Sequence, residues 1–228
     1  MVRRKMNTKL FASDESYKEM ISKYTKTDGI LAITMYAILM LVYYFMGVIF
    51  IQKKLYLGIP VGFLIIVSCI ALVLIRKQKL DTIGFTFKNI KKSLLLGVVF
   101  GILFPLLKID YILNGCKIIS VNKALYYIFY FFIVVALSEE VIFRGYIQTR
   151  IYGLIKNDIL AVIVTGFMFY AMHLPYQMPV NGMEVNLIDV VSKIIFHIIA
   201  NFLYRKYNSL VAPTMYHGFL NWFGSLIR

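Results

Sequence analysis

The stretch ALSEEVIFRGYIQTR, residues 136–150, sets two carboxylates side by side, Glu139 and Glu140, with the guanidinium of Arg144 close behind. The residues leading up to them, 124–138, carry no charge. Two histidines follow on later apolar segments: His173 in FMFYAMHLP, and His217 in MYHGFLNW together with Asn221. Carboxylate, imidazole and carboxamide are groups that activate a water and hold a developing oxyanion. Residues four apart share a helix face, so Glu140 faces Arg144 and His217 faces Asn221. Glu139 projects about 100° away from Glu140 at 3.6 residues per turn. The two carboxylates therefore need not do the same job. One can pair with Arg144 and stay ionised. A carboxylate left unpaired in a dry site holds its proton more tightly and makes a better base.

Each of these residues also has a plainer role available. Glu140 with Arg144 reads equally as a buried structural pair, and a lone histidine in an apolar segment is more often a hydrogen-bonded interior residue. Joint occurrence on three segments at similar depth favours a site. Glu139 lies eleven residues from Arg150, and His217 eleven from Lys206, roughly 16 Å each at 1.5 Å per residue. His173 lies seventeen residues from Lys156, roughly 25 Å by the same rise, and fits least well. Adjacent carboxylates on one helix cannot flank a bond from opposite sides, which excludes glycosidase chemistry. There is no serine elbow, glycine-rich phosphate loop or HExxH. Glu139, His173 and His217 would also permit a zinc ion with a water in its fourth position, but the spacing does not single out a ligand set, so no cofactor is certain.

These residues must be positioned by membrane helices. The 228 residues are 60% hydrophobic and only 16% charged, with a mean hydropathy of +0.75; soluble domains hold about 25% charged residues. A bilayer core of about 30 Å needs about 20 apolar residues, and 29–51 and 55–75 supply such runs without a charge. The expected fold is an all-α polytopic bundle of about seven spans, near 29–51, 55–75, 93–107, 123–150, 158–175, 187–204 and 208–227. A charged cytoplasmic tail (1–28) precedes two N-terminal spans (29–75). RKQKLDTIGFTFKNIKK (76–92) reads as a basic interfacial segment or a plain solvated loop. A catalytic membrane domain (93–228) completes the chain. Pro105 ends or kinks the third span, and MPVNGMEVN is a loop by its Pro, Asn and Gly. The N-terminus does not read as a cleavable signal.

The net charge of +14 comes from basic residues at the ends of apolar runs, which suits anionic lipid head groups and topology determinants, not nucleic acid. Seven basic residues in the tail and six between spans two and three place the N-terminus inside. Cys69 and Cys116 have no metal or redox spacing and are expected to be free thiols.

The motifs together carry a resemblance. EEVIFRG resembles the EExxxR motif of the CAAX prenyl protease and bacteriocin-processing family of intramembrane proteases, the Abi family. FYAMH (Phe169–His173) is similar to its FxxxH motif, and HGFLN (His217–Asn221) to its HxxxN motif, all in family order. HIIAN (His197–Asn201) also fits HxxxN, but SLVAPTMYH before His217 resembles the family's approach to that histidine, so His197 is expected to be a packing or hydrogen-bonding residue. The chain ends soon after the third motif, as in shorter bacterial members. The resemblance implies hydrolysis of a peptide bond in a membrane-associated peptide or protein: prenylated-protein-like, pheromone or bacteriocin precursor. Glu139 would act as base on a water with His173 assisting, His217 and Asn221 would hold the oxyanion, and Glu140, Arg144 and Phe169 would support them. The family has been classed with metalloproteases, which keeps zinc open. The alternative is a non-proteolytic membrane protein that gives bacteriocin self-immunity by binding.

Overall fold

A computed structural model describes residues 13–106, 119–182 and 185–226. The fold is an all-α polytopic bundle, with no strand among the described residues. A short helix, α1 (Glu15–Ser22), leads into α2 (Lys26–Lys53), α3 (Gly58–Ile75) and α4 (Ile90–Leu106). A continuous helix, α5 (Val121–Gly153), is followed by α6 (Asp158–Ala171), α7 (Leu174–Asn181), α8 (Leu187–Tyr207) and α9 (Val211–Leu226).

Five units are long and apolar enough to cross a membrane: α2, α3, α5, α6 with α7, and α8. Two of the seven expected spans, α4 at 17 residues and α9 at 16, are shorter than that among the described residues. They pack on one another instead of meeting lipid all round. A side chain at Gly97 would run into Ala212, and one at Gly101 would come 2.7 Å from Phe219 Cβ, so the two glycines let the helices meet backbone to backbone. Pro105 lies in the last described turn of α4; Cys116 and the loop around it lie outside the described residues.

The expected tail is structured where it is described. Asp14 caps α1 through Ser16 N at 2.8 Å, and its own N–H donates to the Arg205 carbonyl at 2.8 Å. Tyr17 is fully buried, its ring edge-on to Tyr204. Residues 1–12, the rest of that tail, lie outside the described residues. Of the basic segment 76–92, residues 76–89 are a loop with one 3₁₀ turn, Leu80–Ile83, and residues 90–92 open α4. The loop is fastened by Arg150, a basic residue at the end of an apolar run that is nonetheless only 1% exposed. Its guanidinium donates to the Thr82 carbonyl (3.0 Å), the Gly145 carbonyl (2.8 Å), Gln78 Oε1 (2.7 Å) and Thr82 Oγ1 (2.9 Å). The loop's own carbonyls and hydroxyls replace water as acceptors, which is why a charge can be buried here.

Two departures from regular helix shape the centre. Within α5, Phe129–Leu137 and Val141–Ile147 are π-helical and flank a single α turn, Ser138–Glu140. Such insertions are rare and often occur at functional sites. The fifth expected span is broken as well: α6 stops at Ala171 and α7 begins at Leu174, with Pro175 in its first turn. Proline disfavours helical backbone in the residue before it and lacks an N–H for a continuing ladder. The helix therefore restarts, and α7 runs on through Met178–Asn181, part of what reads as a loop in the sequence.

Candidate active site

Glu140 stands at the centre. Its side chain is 0% exposed, and each oxygen has a partner. Oε1 accepts from His217 Nδ1 at 2.9 Å, and Oε2 lies 3.1 Å from Arg144 Nε, at i and i+4 on α5. The second contact is an ion pair whose alignment falls short of a hydrogen bond. Arg144 is itself fully buried. Its guanidinium lies 4.2 Å from the centre of the Phe169 ring and 5.3 Å from that of Phe196. Cation–π contact thus takes the place of the hydrogen bonds that Nη1 and Nη2 lack among the described residues. Phe169 and Phe196 stack at 5.4 Å. Phe196 in turn meets the His217 ring edge-on at 4.7 Å. One aromatic pair from α6 and α8 therefore fixes both the cation on α5 and the imidazole on α9.

Glu139 points elsewhere, as the 100° offset requires. Its Oε2 is buried without a hydrogen-bond partner among the described residues and lies 3.8 Å from His217 Nε2. The His217 imidazole is thus held between two carboxylates, one on each nitrogen. With Glu140 accepting at Nδ1, the proton there is assigned by geometry.

His173 sits at the α6–α7 break, two residues past the end of α6 and just before α7 begins. Its Nδ1 is 2.9 Å from the Phe169 carbonyl, an acceptor, so Nδ1 carries the proton and Nε2 carries the lone pair. Nε2 is 3.5 Å from Lys193 Nζ. His173 and Glu139 line one cavity of about 270 Å³, together with Ser138, Tyr43, Tyr56, Tyr130 and Tyr176. His217 and Asn221 line another, of about 410 Å³, with Phe169, Lys193 and Phe196. The chain thus gathers Glu139, Glu140, Arg144 and His217 at one centre, with His173 and Asn221 on its two flanks.

His197 lies elsewhere. It is fully buried, with Nε2 3.1 Å from Thr165 Oγ1 and Gly166 against its ring. Asn201 accepts from Gln148 within the same core. Neither Phe196 nor the tyrosines around Glu139 stood out in the sequence, because aromatic residues in apolar spans look alike whether they face lipid or a site.

The zinc option finds no support in these residues. Among the described residues no group of three His, Cys, Asp or Glu is arranged to hold a metal. Of the three candidate ligands, His173 turns its free nitrogen toward the Lys193 ammonium, which would repel a cation, and His217 has one nitrogen committed to Glu140.

No curated protein and no solved structure matches the chain. A family model does: the type II CAAX prenyl endopeptidase Rce1-like model matches residues 121–223, from the start of α5 into α9. That span contains every residue of the centre and both flanks. Over residues 121–223 the chain is thus similar to the Rce1-like, type II CAAX prenyl endopeptidase family of proteases, in line with the three motifs it carries there.

Proposed function

We propose that the chain is an intramembrane endopeptidase in which Glu139 activates a water for attack on a peptide carbonyl. The observation that carries this reading is the Glu139 carboxylate itself: an oxygen buried without a hydrogen-bond partner among the described residues, beside a cavity that also holds the His173 imidazole, whose Nε2 carries a lone pair 3.5 Å from the Lys193 ammonium. A water there can give its proton to Glu139 while His173 Nε2 accepts its second hydrogen. The carbonyl oxygen becomes an oxyanion on the His217 and Asn221 side. Asn221 can donate as it stands. His217 can donate from Nε2 only when both nitrogens carry protons, with Glu140 taking the bond from Nδ1. Glu140 and Arg144 hold the imidazole in place and do not touch substrate.

The substrate is read as a membrane-associated peptide or protein. The N-terminal end of the bundle is read as cytoplasmic, since among the described residues Lys26, Arg76, Lys77, Lys156, Arg205 and Lys206 lie at that end and fewer, Lys53, Lys54, Lys123 and Lys193, toward the other. Because Arg150 is buried in the loop network, it no longer counts as a lipid-facing charge.

Glu139→Gln tests the reading, since it keeps shape and removes basicity. General-base catalysis is worth about 10²- to 10⁴-fold, so peptide release from membranes should fall by that order with folded yield near normal. A peptidomic comparison of membranes holding the native and Glu139→Gln chains would reveal the substrate. Unchanged release would remove the mechanism and leave a binding or immunity role as the better account.

A further inference from the structure

Lys193 lies seven residues into α8, inside a helix long and apolar enough to cross a membrane. Its side chain is half-buried. A lysine so near a helix end could extend its ammonium outward to the membrane surface. Instead Nζ is turned inward, 3.5 Å from His173 Nε2. Asp189, one turn earlier on the same helix, is not within ion-pair distance. No carboxylate among the described residues reaches Lys193. An ammonium at membrane depth without a counter-ion is costly, and such residues usually meet their partner in a substrate or ion.

The position says which partner. Lys193 is the cation among the residues lining the two cavities beside Glu139. It is one turn from Phe196, whose ring abuts His217, so it lies along the groove from the residues read as holding the oxyanion. The rest of that groove is mostly apolar, with Phe169, Ile195, Phe196 and Leu220 beside Ser192 and Tyr216. A peptide segment with apolar side chains and one carboxylate fits this lining, with the carboxylate on Lys193 and the bond to be cut beside His217 and Asn221.

We propose that Lys193 is a carboxylate anchor, a specificity-determining residue that selects peptides presenting a carboxylate a short distance beyond the scissile bond. The inference rests on the protease reading for its purpose, though not for its binding test. The carboxylate can come from a chain's C-terminus or from an acidic side chain, and the same ammonium would hold either.

Binding is measured on the full-length chain in detergent, with Glu139→Gln present so that nothing is cleaved. The readout is the melting temperature with three probes: N-acetyl-trileucine, its carboxamide, and an amidated N-acetyl-Leu-Leu-Glu. A ligand that binds only the folded state raises the melting temperature. Expected is a rise with N-acetyl-trileucine and none with its carboxamide, lost in Lys193→Met and in Lys193→Gln and partly kept in Lys193→Arg. A rise with the amidated glutamate peptide, also lost in Lys193→Met, supports the anchor and assigns the carboxylate to a side chain. Equal shifts with the acid and its carboxamide, shifts that persist without Lys193, or no shift with any probe would overturn the proposal. In the active chain, Lys193→Met should raise KM for carboxylate-bearing peptides about ten- to hundredfold, the value of a charged hydrogen bond, and leave KM for their carboxamides little changed. Should the carboxylate-specific shift stand while the native chain cleaves nothing, the protease reading fails and the anchor survives.

Discussion

Removing the charge of Glu140 should unfold the centre, and removing its partner as well should restore it. Glu140 and Arg144 are both 0% exposed and lie 3.1 Å apart, so neither charge can be solvated once the other is gone. Leaving one buried charge bare costs about 3–5 kcal/mol, whereas replacing both partners by uncharged groups is often near neutral. No second carboxylate lies within ion-pair distance of Arg144 among the described residues, and Phe169 and Phe196 supply only about 0.5–2 kcal/mol of cation–π attraction. Glu140→Gln and Arg144→Met should therefore each destabilise by about 3 kcal/mol or more, a large share of a typical 5–15 kcal/mol. Together they should cost much less than their sum. Unfolding of the purified chain by titrating a denaturing detergent into mixed micelles gives the cycle, read by circular dichroism. A coupling near zero would refute the pairing, because independent sites add within about 0.5 kcal/mol. Cleavage should not recover in the double variant even where stability does, since His217 would have lost the carboxylate that orients it.

Four further outcomes follow from the contacts. His217→Ala should abolish peptide release, while His197→Ala should retain it in the folded fraction and cost about 1–3 kcal/mol of stability through the orphaned Thr165 contact; the reverse pattern would mean that the wrong HxxxN motif was chosen. With Cys69 and Cys116 replaced, an impermeant thiol reagent applied to intact cells should label Gln177→Cys and spare Lys77→Cys, and labelling of Lys77→Cys alone would invert the orientation. Gly101→Leu should loosen α4 from α9 and lower the melting temperature, because even a Cβ there comes 2.7 Å from Phe219; no change would show that the two helices do not rely on close approach. Burial pushes the Tyr17 hydroxyl up to about 12, above its ordinary value of about 10, so the folded state keeps a proton that the unfolded chain gives up. The docking of α1 should be fully stable below pH 10 and weaken as pH rises toward 12. Proteolysis of the N-terminus measures this, and Tyr17→Phe should remove the dependence.

The residues of the centre were legible because each motif is local: Glu140 and Arg144 at i and i+4 pair on any helix, and the FxxxH spacing brings the Phe169 carbonyl to His173 Nδ1. What was not legible depends on partners distant in sequence. Arg150 reads as a head-group anchor until the loop 76–83 is seen to fold over it with acceptors from Gln78 and Thr82. The restart of the helix at Leu174 was signalled by Pro175, but nothing in the spacing placed His173 at the junction itself. The π-helical stretches of α5 have no marker in residue type, since they consist of the same Phe, Val and Ile as any span. The inward turn of Lys193 was equally hidden: a lysine near a helix end is silent about which way it points.

The Arg150 network has a further consequence for supply and traffic. At the N-terminal end of the bundle, Arg150, Gln78, Thr82 and Asp28 form a stopper whose donors and acceptors are spent on one another. The Glu139 cavity instead extends toward the α2–α3 turn, with Tyr56, Gly58 and Gln177 in its walls. A hydrolase consumes one water at every turnover and must discharge two new chain ends, a carboxylate and an amine. With the N-terminal end of the bundle packed shut, water would reach Glu139 through a doorway framed by tyrosines, apart from the groove that His217 and Asn221 line. The pace of such an enzyme would be governed by how fast that doorway admits water.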